Sequence, residues 1–340
     1  MTGLDPGQLG RLHLILLRTA GHGRDELIAA ARLSLGEGDL TAAAAKIVAT
    51  GLALPAEDAQ LVSALAPNSV EPIGSGGAQR AYEFVPLLPD LDDVVPVGSP
   101  PVLDLTVPHP WLARPAVDEA DNAAIAAAAQ TAGAVALWRA WRLGTDEDVV
   151  RVYLLETDRP VDQLPGVTAV LQRALAQAEV AAPQVEVYGP DVELRPYQRH
   201  ARSGSALLWT ATPGRPLQIA RVFDRVHPQH GPVFDTRHPH LDDPAVLAYL
   251  DAGAAVLATT ERMNDVVNPA KGKVVPMTYR TDGAWIWTDT VSYYLREHSL
   301  APDPELVAHV GAAGARPTQV PAVALYRALA ALFAPAPAAT

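Results

Sequence analysis

The sequence predicts an α+β or mixed α/β fold, in which a mainly antiparallel or mixed sheet with flanking helices follows a small all-α module. Three observations predict this class: helical spacing of apolar residues, then proline-rich extended sequence, then short strand-like runs that alternate with helices. We therefore expect a helical module at 1–66, a Pro-rich extended strap at 67–115, an α/β body at 116–315, and a C-terminal helix with a Pro/Ala tail at 316–340.

Glycines divide the N-terminal module into short helices. Gly21, Gly36 and Gly51 interrupt stretches in which leucine, isoleucine and alanine recur at helical spacing. In the strap, closely spaced prolines remove backbone donors and disfavour helix. The valine and leucine residues among them favour a segment that lies on the body over a free linker.

Helices and strands alternate through the α/β body. Asp118 can cap a helix that continues through Ala129, and residues 135–141 and 149–155 predict a hairpin across the polar turn 144–148. The same patterns predict the elements that follow. These are helices near 165–179, 196–202, 244–252, 289–298, 304–310 and 323–333, strands at 185–188, 206–210, 217–223 and 255–259, and a hairpin of strands 274–280 and 284–287.

Composition describes an acidic chain that folds around a core. The 340 residues are 49% hydrophobic and 19% charged, as in ordinary globular proteins. Lys and Arg number 26 against 38 Asp and Glu, so the net charge is −12, which disfavours nucleic acid as a partner. Because the chain has no cysteine, disulfides, thiolate metal sites and cysteine nucleophiles are excluded.

No segment of the sequence has the pattern of a membrane span or a secretory signal. The N-terminus has no basic region that leads into an apolar core, and the alanine-rich runs at 123–129 and 328–334 are shorter than the roughly 20 residues that a span requires. We expect a cytoplasmic protein with no membrane partner.

The densest polar and aromatic cluster lies in residues 280–294. Asp282 and Gly283 predict a tight turn, after which Trp285 and Trp287 share one strand face. This pattern is typical of a hairpin and a capped helix with core aromatics. It also has the composition of a protein interface, and on that hypothesis the binding residues are Arg280, Asp282, Trp285, Trp287, Asp289 and Tyr293.

Residues 227–240 contain four histidines, and they carry the alternative hypothesis of a metal site. Imidazole and carboxylate are ligands of zinc and iron. The candidate ligands are His227, His230, Asp235, His238 and His240. Three prolines and a glycine are typical of a rigid surface loop, and no recognised metal motif is present, so the pattern favours a structural loop over a metal site. We expect no cofactor.

Several runs together resemble a group of uncharacterised actinobacterial proteins. The runs are residues 206–210, 219–224, 275–277, 280–289 and 302–306. Such proteins are often found beside genes of secreted polymorphic toxins, including NAD-glycohydrolase-type toxins. The resemblance spans about residues 130–312, the tryptophan segment is its specific part, and the N-terminal helices lie outside it. It implies an immunity or accessory role and brings no catalytic residues with it.

Three functional hypotheses follow. The first is a non-enzymatic cytoplasmic binding protein, an immunity or accessory protein for a secreted toxin, with that protein as its partner. The second is a metal-dependent hydrolase that uses the loop 227–240. The third is an oligomeric structural or secretion accessory protein, which would form a homo-oligomer. The sequence has no nucleophile elbow, phosphate loop or dinucleotide-binding motif, which favours the first hypothesis over an enzyme.

Overall fold

The structure is a computed structural model, and it confirms the predicted α+β class. It describes residues 5–69, 82–88, 100–112, 115–144, 149–227, 229, 231–234, 238–314, 317 and 319–334. N-terminal helices precede a region of mixed sheets. The chain forms two compact units, of which the first ends at Pro213 and the second runs from Gly214 to Ala334. The division falls inside the 116–315 span that the sequence predicts as one body, because the strands on either side of it belong to different sheets.

The first unit begins with four helices that enclose their own apolar core. They are α1 Pro6–Thr19, α2 Asp25–Gly36, α3 Leu40–Ala49 and α4 Ala56–Leu65. Asp5 accepts a hydrogen bond from the Gly7 amide and so caps α1, and Asp39 caps α3 through the Ala42 amide. Leucine, isoleucine and alanine side chains from all four helices pack together.

A six-stranded mixed sheet and three helices complete this unit. Its elements are β1 Glu83–Val85, β2 Leu103–Asp104, α5 Glu119–Gln130, β3 Ala134–Leu143, β4 Val149–Thr157, α6 Leu164–Gln177, β5 Gln184–Tyr188, α7 Pro196–Ser203 and β6 Ala206–Thr210, with a short 3-10 helix at Val161–Gln163. The strand order is β2-β6-β3-β4-β5, and β1 pairs with β3. The predicted hairpin is confirmed as the antiparallel pair β3 and β4. Strands β1 and β2 come from the predicted strap, whose other residues lie largely outside the described ranges.

Helices α1 and α2 are joined to the sheet by buried polar contacts. Arg32 on α2 lies 2.7 Å from the Glu186 carboxylate on β5, and both side chains are 1% exposed. The same carboxylate accepts from Gln198 Nε2 on α7 at 3.0 Å. His13 Nε2 on α1 donates to the Val187 carbonyl at 2.8 Å. The N-terminal helices are therefore docked on the sheet.

The second unit contains a four-stranded sheet and two short ribbons. Its elements are β7 Gln218–Ile219, β8 Arg225–His227, β9 Gly231–Val233, α8 Pro244–Asp251, β10 Ala254–Leu257, β11 Arg262–Asn264, β12 Lys273–Pro276, β13 Tyr279–Thr281, β14 Trp285–Thr288, α9 Asp289–His298, α10 Pro304–Ala313 and α11 Ala322–Phe333, with a 3-10 turn at Pro269–Lys271. The sheet order is β10-β13-β14-β7, while β11–β12 and β8–β9 form the ribbons. Within the described residues, no helix is both long and apolar enough to cross a membrane.

The first prediction concerns the pH dependence of folding. Burial of His13 lowers its pKa from 6.5 to about 4. Because the unfolded chain takes up this proton near pH 6.5 and the folded chain does not, the free energy of unfolding falls as the pH drops from about 6.5 to about 4. We expect a loss on the order of 3 kcal/mol, measured by urea unfolding across this range. His13→Gln, which keeps a donor, removes this dependence, whereas His22→Gln at an exposed position retains it. Equal slopes for both variants would contradict the assignment.

The second prediction concerns the Arg32–Glu186 pair. Glu186→Gln leaves a buried guanidinium without its counter-charge, so it lowers the free energy of unfolding by about 3–5 kcal/mol. Arg32→Met combined with Glu186→Leu removes both charges and returns stability to within about 1 kcal/mol of the parent chain. Chemical unfolding of Arg32→Met, of Glu186→Leu and of the double variant measures the coupling. Additive losses would show that the two side chains do not stabilise each other.

Candidate functional site

The predicted tryptophan surface lies in the interior of the second unit. Trp285 is 6% exposed and Trp287 1% exposed, and both pack in one apolar core with α8, α9 and α10. The Trp287 indole donates to the Leu250 carbonyl at 3.2 Å. Their shared strand face is therefore the core face of the hairpin. A protein partner cannot contact these indoles while the unit is folded.

The polar residues of this segment contact one another or nearby elements. Arg280 Nε lies 2.5 Å from Asp289 Oδ1, and a second guanidinium nitrogen donates to the Gly253 carbonyl at 2.9 Å. Tyr293 donates to Asp265 at 2.9 Å. The structure thus brings all six predicted binding residues into one hairpin and the helix that follows it, where they stabilise the fold.

Asp282 holds the hairpin turn and two neighbouring helices. Its Oδ1 accepts from the Ala284 and Trp285 amides, and its Oδ2 lies 2.8 Å from the Tyr249 hydroxyl and 2.5 Å from His309 Nε2. Burial acts to raise the pKa of Asp282, but the hydrogen bonds from the two amides and from Tyr249 and His309 outweigh it, so the pKa is lowered. Sequence reasoning missed these partners because Tyr249 and His309 lie about thirty positions away on either side of it.

A second cluster of the same residue types surrounds Asp265. This fully buried carboxylate accepts from Tyr293, from His298 Nε2 at 2.7 Å and from the Val267 and Asn268 amides. Burial acts to raise its pKa, but these hydrogen bonds outweigh it and lower the pKa to about 2. Both oxygens of the carboxylate accept hydrogen bonds. These bonds hold the loop that contains Val267 and Asn268 against α9.

The histidine segment does not assemble a metal site among the described residues. His238 Nδ1 lies 2.7 Å from the Ala301 carbonyl, and its Nε2 lies 3.4 Å from Asp224. His240 forms a backbone bridge with Leu300, and His227 is exposed on β8. His230 and Asp235 lie outside the described residues. Within the described ranges, no three His, Asp or Glu side chains are arranged to hold a metal ion.

The first unit has a groove between α5 and α6. Its volume is about 1010 Å³, and its apolar lining consists of small side chains. Ala123, Ala126 and Ala127 form the α5 side, and Gly166 and Val170 contribute from α6. Larger side chains at these positions would fill the space between the helices.

Polar and charged residues surround this groove. Glu119 and Asn122 lie at the start of α5, and Arg173 lines the α6 side. Arg159 also lines the groove. Its Nε donates to the Ala132 carbonyl at 2.9 Å, which holds the Arg159 side chain near the C-terminal end of α5. Small apolar side chains beside polar and charged ones are a usual composition of a protein docking surface.

An ionic network under the sheet side of α5 holds that wall of the groove in place. Asp118 caps α5 through the Asp121 amide and lies 2.6 Å from Arg151. Asp121, fully buried, accepts from Arg139 at 2.7 Å and from the Tyr153 hydroxyl at 2.8 Å. Burial raises the pKa of Asp121; for Asp118, burial acts in the same direction but the Arg151 hydrogen bonds outweigh it and lower the pKa. The helix therefore has a fixed position on β3 and β4.

Comparison with known proteins finds no match. No family model, no curated protein and no solved structure matches the chain. The resemblance to actinobacterial proteins found beside toxin genes stays a prediction.

Sequence reasoning missed the groove, although its composition is visible in the chain. The alanine run that begins at Ala123 was too short for a membrane span, and its pattern alone indicated only a helix. The recess depends on α6 lying beside α5, and the two helices are separated in sequence by the β3–β4 hairpin. Local spacing cannot show that juxtaposition.

The third prediction tests the burial of Trp287. A Cβ at Gly253 would overlap the Trp287 ring, so Gly253→Ala lowers the free energy of unfolding by about 1–3 kcal/mol. Gly311→Ala is the matched control, because its Cβ meets no atom within 4 Å and it lies in α10. The control raises the free energy of unfolding by about 0.5–1 kcal/mol. Urea unfolding followed by circular dichroism measures the free energy of unfolding of both variants. A Gly253→Ala variant as stable as the parent chain would show that the indole is free to move.

Proposed function

We propose that this protein is a non-enzymatic binding protein, and that the α5–α6 groove receives an apolar segment of a protein partner. The observation that carries the proposal is the open groove of about 1010 Å³, which alanine, glycine and valine side chains line beside polar ones. We further propose a cytoplasmic immunity or accessory role, with a secreted toxin as the partner.

The shape of the groove supports a helical segment as its occupant. Two neighbouring helices with small facing residues leave a furrow in which large side chains of a third helix can be buried. Val170 is 42% exposed and Ala126 is exposed, so docking would remove apolar surface from water. Aromatic or leucine side chains spaced along one face of the partner helix suit such a furrow.

The net charge supports a basic partner. A chain with a charge of −12 attracts a positively charged protein over long distances and raises the rate of encounter. Contacts in the groove would then determine how long the complex lasts, because dissociation depends on the buried contacts. Charge and groove therefore have separate roles in the proposed complex.

The polar clusters of the second unit support a structural role for their histidines. Asp265 and Asp282 each accept from a tyrosine and a histidine, and both also accept backbone amides. Their lone pairs are used by the fold. A binding role for the protein thus fits the first unit, where the groove lies.

The fourth prediction tests the groove with the proposed partner, a secreted toxin of the NAD-glycohydrolase type, as the probe. Ala126→Trp places an indole in the groove and weakens the complex at least about tenfold, a change of about 1.4 kcal/mol in binding free energy. Ala129→Trp is the matched control, since Ala129 is exposed on the same helix and does not line the groove. Calorimetry of the purified proteins measures both dissociation constants.

A second pair of variants approaches the groove from α6. Val170→Asp puts a charge among the apolar side chains of the groove and weakens binding, while Ala176→Asp, at an exposed position of α6 that does not line the groove, leaves binding unchanged. Equal losses in all four variants would reject the groove as the docking surface. A wild-type chain that forms no complex with the toxin would reject that partner. A self-associated chain that Ala126→Trp dissociates would indicate a homo-oligomer instead.

A further inference from the structure

A second recess in the first unit has a different chemical character from the groove. It has a volume of about 340 Å³ and is lined by basic and aromatic side chains. The lining residues are Arg18, His22, Tyr82, Phe84, Arg195, Pro196, Tyr197 and His200. Among the described residues, no carboxylate lines it, although the chain as a whole is strongly acidic. We infer that this recess is a binding site for a mononucleotide, with the base on the rings and the phosphate at Arg195.

The cationic side chains leave capacity for an anion. Arg195 is exposed and, within the described part of the chain, its side chain makes no ion pair or hydrogen bond. The imidazoles of His22 and His200 likewise form no hydrogen bond with described residues. Arg18 already pairs with Asp58, so it contributes less to an anion site. Arg195 is therefore the main phosphate-binding candidate, because a guanidinium can donate two parallel hydrogen bonds to phosphate oxygens.

Helix α7 adds to the positive potential at this end of the recess. It starts at Pro196 and has no side-chain cap, so the amides of its first turn have no side-chain partner at the N-cap. The aligned peptide dipoles place a partial positive charge there. The N-terminus of α7 and the guanidinium of its N-cap residue, Arg195, thus both favour an anion.

Aromatic rings form the other wall. Phe84 packs against Tyr197 with ring centroids 5.3 Å apart and against His200 at 5.1 Å, and Tyr82 lies 6.1 Å from Tyr197. Planar rings of this kind bind the faces and edges of nucleobases. A ligand with a planar base and a phosphate contacts both the aromatic rings and the Arg195 guanidinium. A simple anion or an uncharged aromatic compound contacts only one of them.

The aromatic wall is fixed before any ligand binds. Arg142 lies 4.7 Å from the Tyr82 ring centroid and donates to the Tyr197 hydroxyl at 3.0 Å, and its charge is paired with Asp25. Gly21, at φ +73°, allows the Tyr197 ring to approach where any Cβ would overlap it. A preformed wall loses little entropy on binding.

The size of the recess selects a small nucleotide. Its 340 Å³ lies at the lower end of the range of about 300–1,000 Å³ for small-molecule pockets. One base, one sugar and one phosphate therefore suit it better than a dinucleotide or a long strand. The recess and the α5–α6 groove share no lining residue, so nucleotide binding and protein docking can succeed or fail separately.

The fifth prediction uses adenosine 5′-monophosphate as the probe for the full chain. Isothermal titration calorimetry gives a dissociation constant of about 0.1 mM for this nucleotide and at least about tenfold weaker binding for adenosine and for inorganic phosphate. Arg195→Gln weakens the binding of the nucleotide about tenfold and leaves the binding of adenosine unchanged, because only the phosphate contact is lost. Higher salt weakens the binding of the nucleotide but not the binding of adenosine.

Arg199→Gln is the matched control for Arg195→Gln. Arg199 is also exposed on α7 but does not line the recess, so this variant binds the nucleotide as the parent chain does. Thermal unfolding of both variants confirms that the fold is retained. Equal loss in the two variants would reject Arg195 as the phosphate ligand and overturn the assignment.

The remaining outcomes each reject the mononucleotide site in a different way. Phosphate that binds as tightly as the nucleotide would indicate a simple anion site, and adenosine that binds as tightly would leave the cations without a role. A single-stranded oligonucleotide that binds about a hundredfold more tightly than the nucleotide would indicate a nucleic-acid surface. Absence of heat with every probe would show that the recess binds none of them.

Discussion

The buried ion pair between Arg32 and Glu186 connects the N-terminal helices to the rest of the first unit. Burying two charges costs several kcal/mol per ion, and the structure offsets this cost with a direct contact at 2.7 Å and with hydrogen bonds from Arg32 to the Leu16 carbonyl and from Gln198 to the carboxylate. The contacts join α1, α2, α7 and the edge strand β5. The groove and the recess both depend on this assembly. Residues of α1 and α7 line the recess, and α6, which forms one side of the groove, packs against α2.

The same residue types serve structure in the second unit. Two aspartates, Asp265 and Asp282, each bind one tyrosine and one histidine, and both also close a turn through backbone amides. Such clusters resemble catalytic arrangements when only the side chains are considered. The backbone hydrogen bonds distinguish them, since a carboxylate whose lone pairs are all engaged has little capacity left for a substrate. Geometry around the acid, rather than residue type, separates the two cases.

Elements with strong local patterns were predicted closely from the sequence. The helix capped by Asp118, the hairpin of β3 and β4, and the helix that begins at Asp289 all depend on caps, turns and periodicity within a few residues. Where pairing is non-local, the patterns were insufficient. The predicted strand 274–280 is divided into β12 and β13, which pair in different sheets, and the predicted strand 217–223 is reduced to Gln218–Ile219. The ribbon of β8 and β9 was predicted as a loop, because its prolines and histidines do not show the alternation of apolar and polar residues that is typical of a strand. Both candidate sites escaped prediction for the same reason, since each brings together elements that lie far apart in the chain.

The groove between α5 and α6 exists because side-chain volume is absent there. A depression formed by alanine and glycine requires no special backbone, so its depth and outline change whenever one of these residues is exchanged for a slightly larger one. Exposed alanines in a helix also tolerate exchange with little loss of stability, because most other residues have nearly the same helix propensity. A lineage that encounters a succession of different partners could therefore reshape this surface one residue at a time. The fold beneath it, fixed by its buried charges, would remain unchanged.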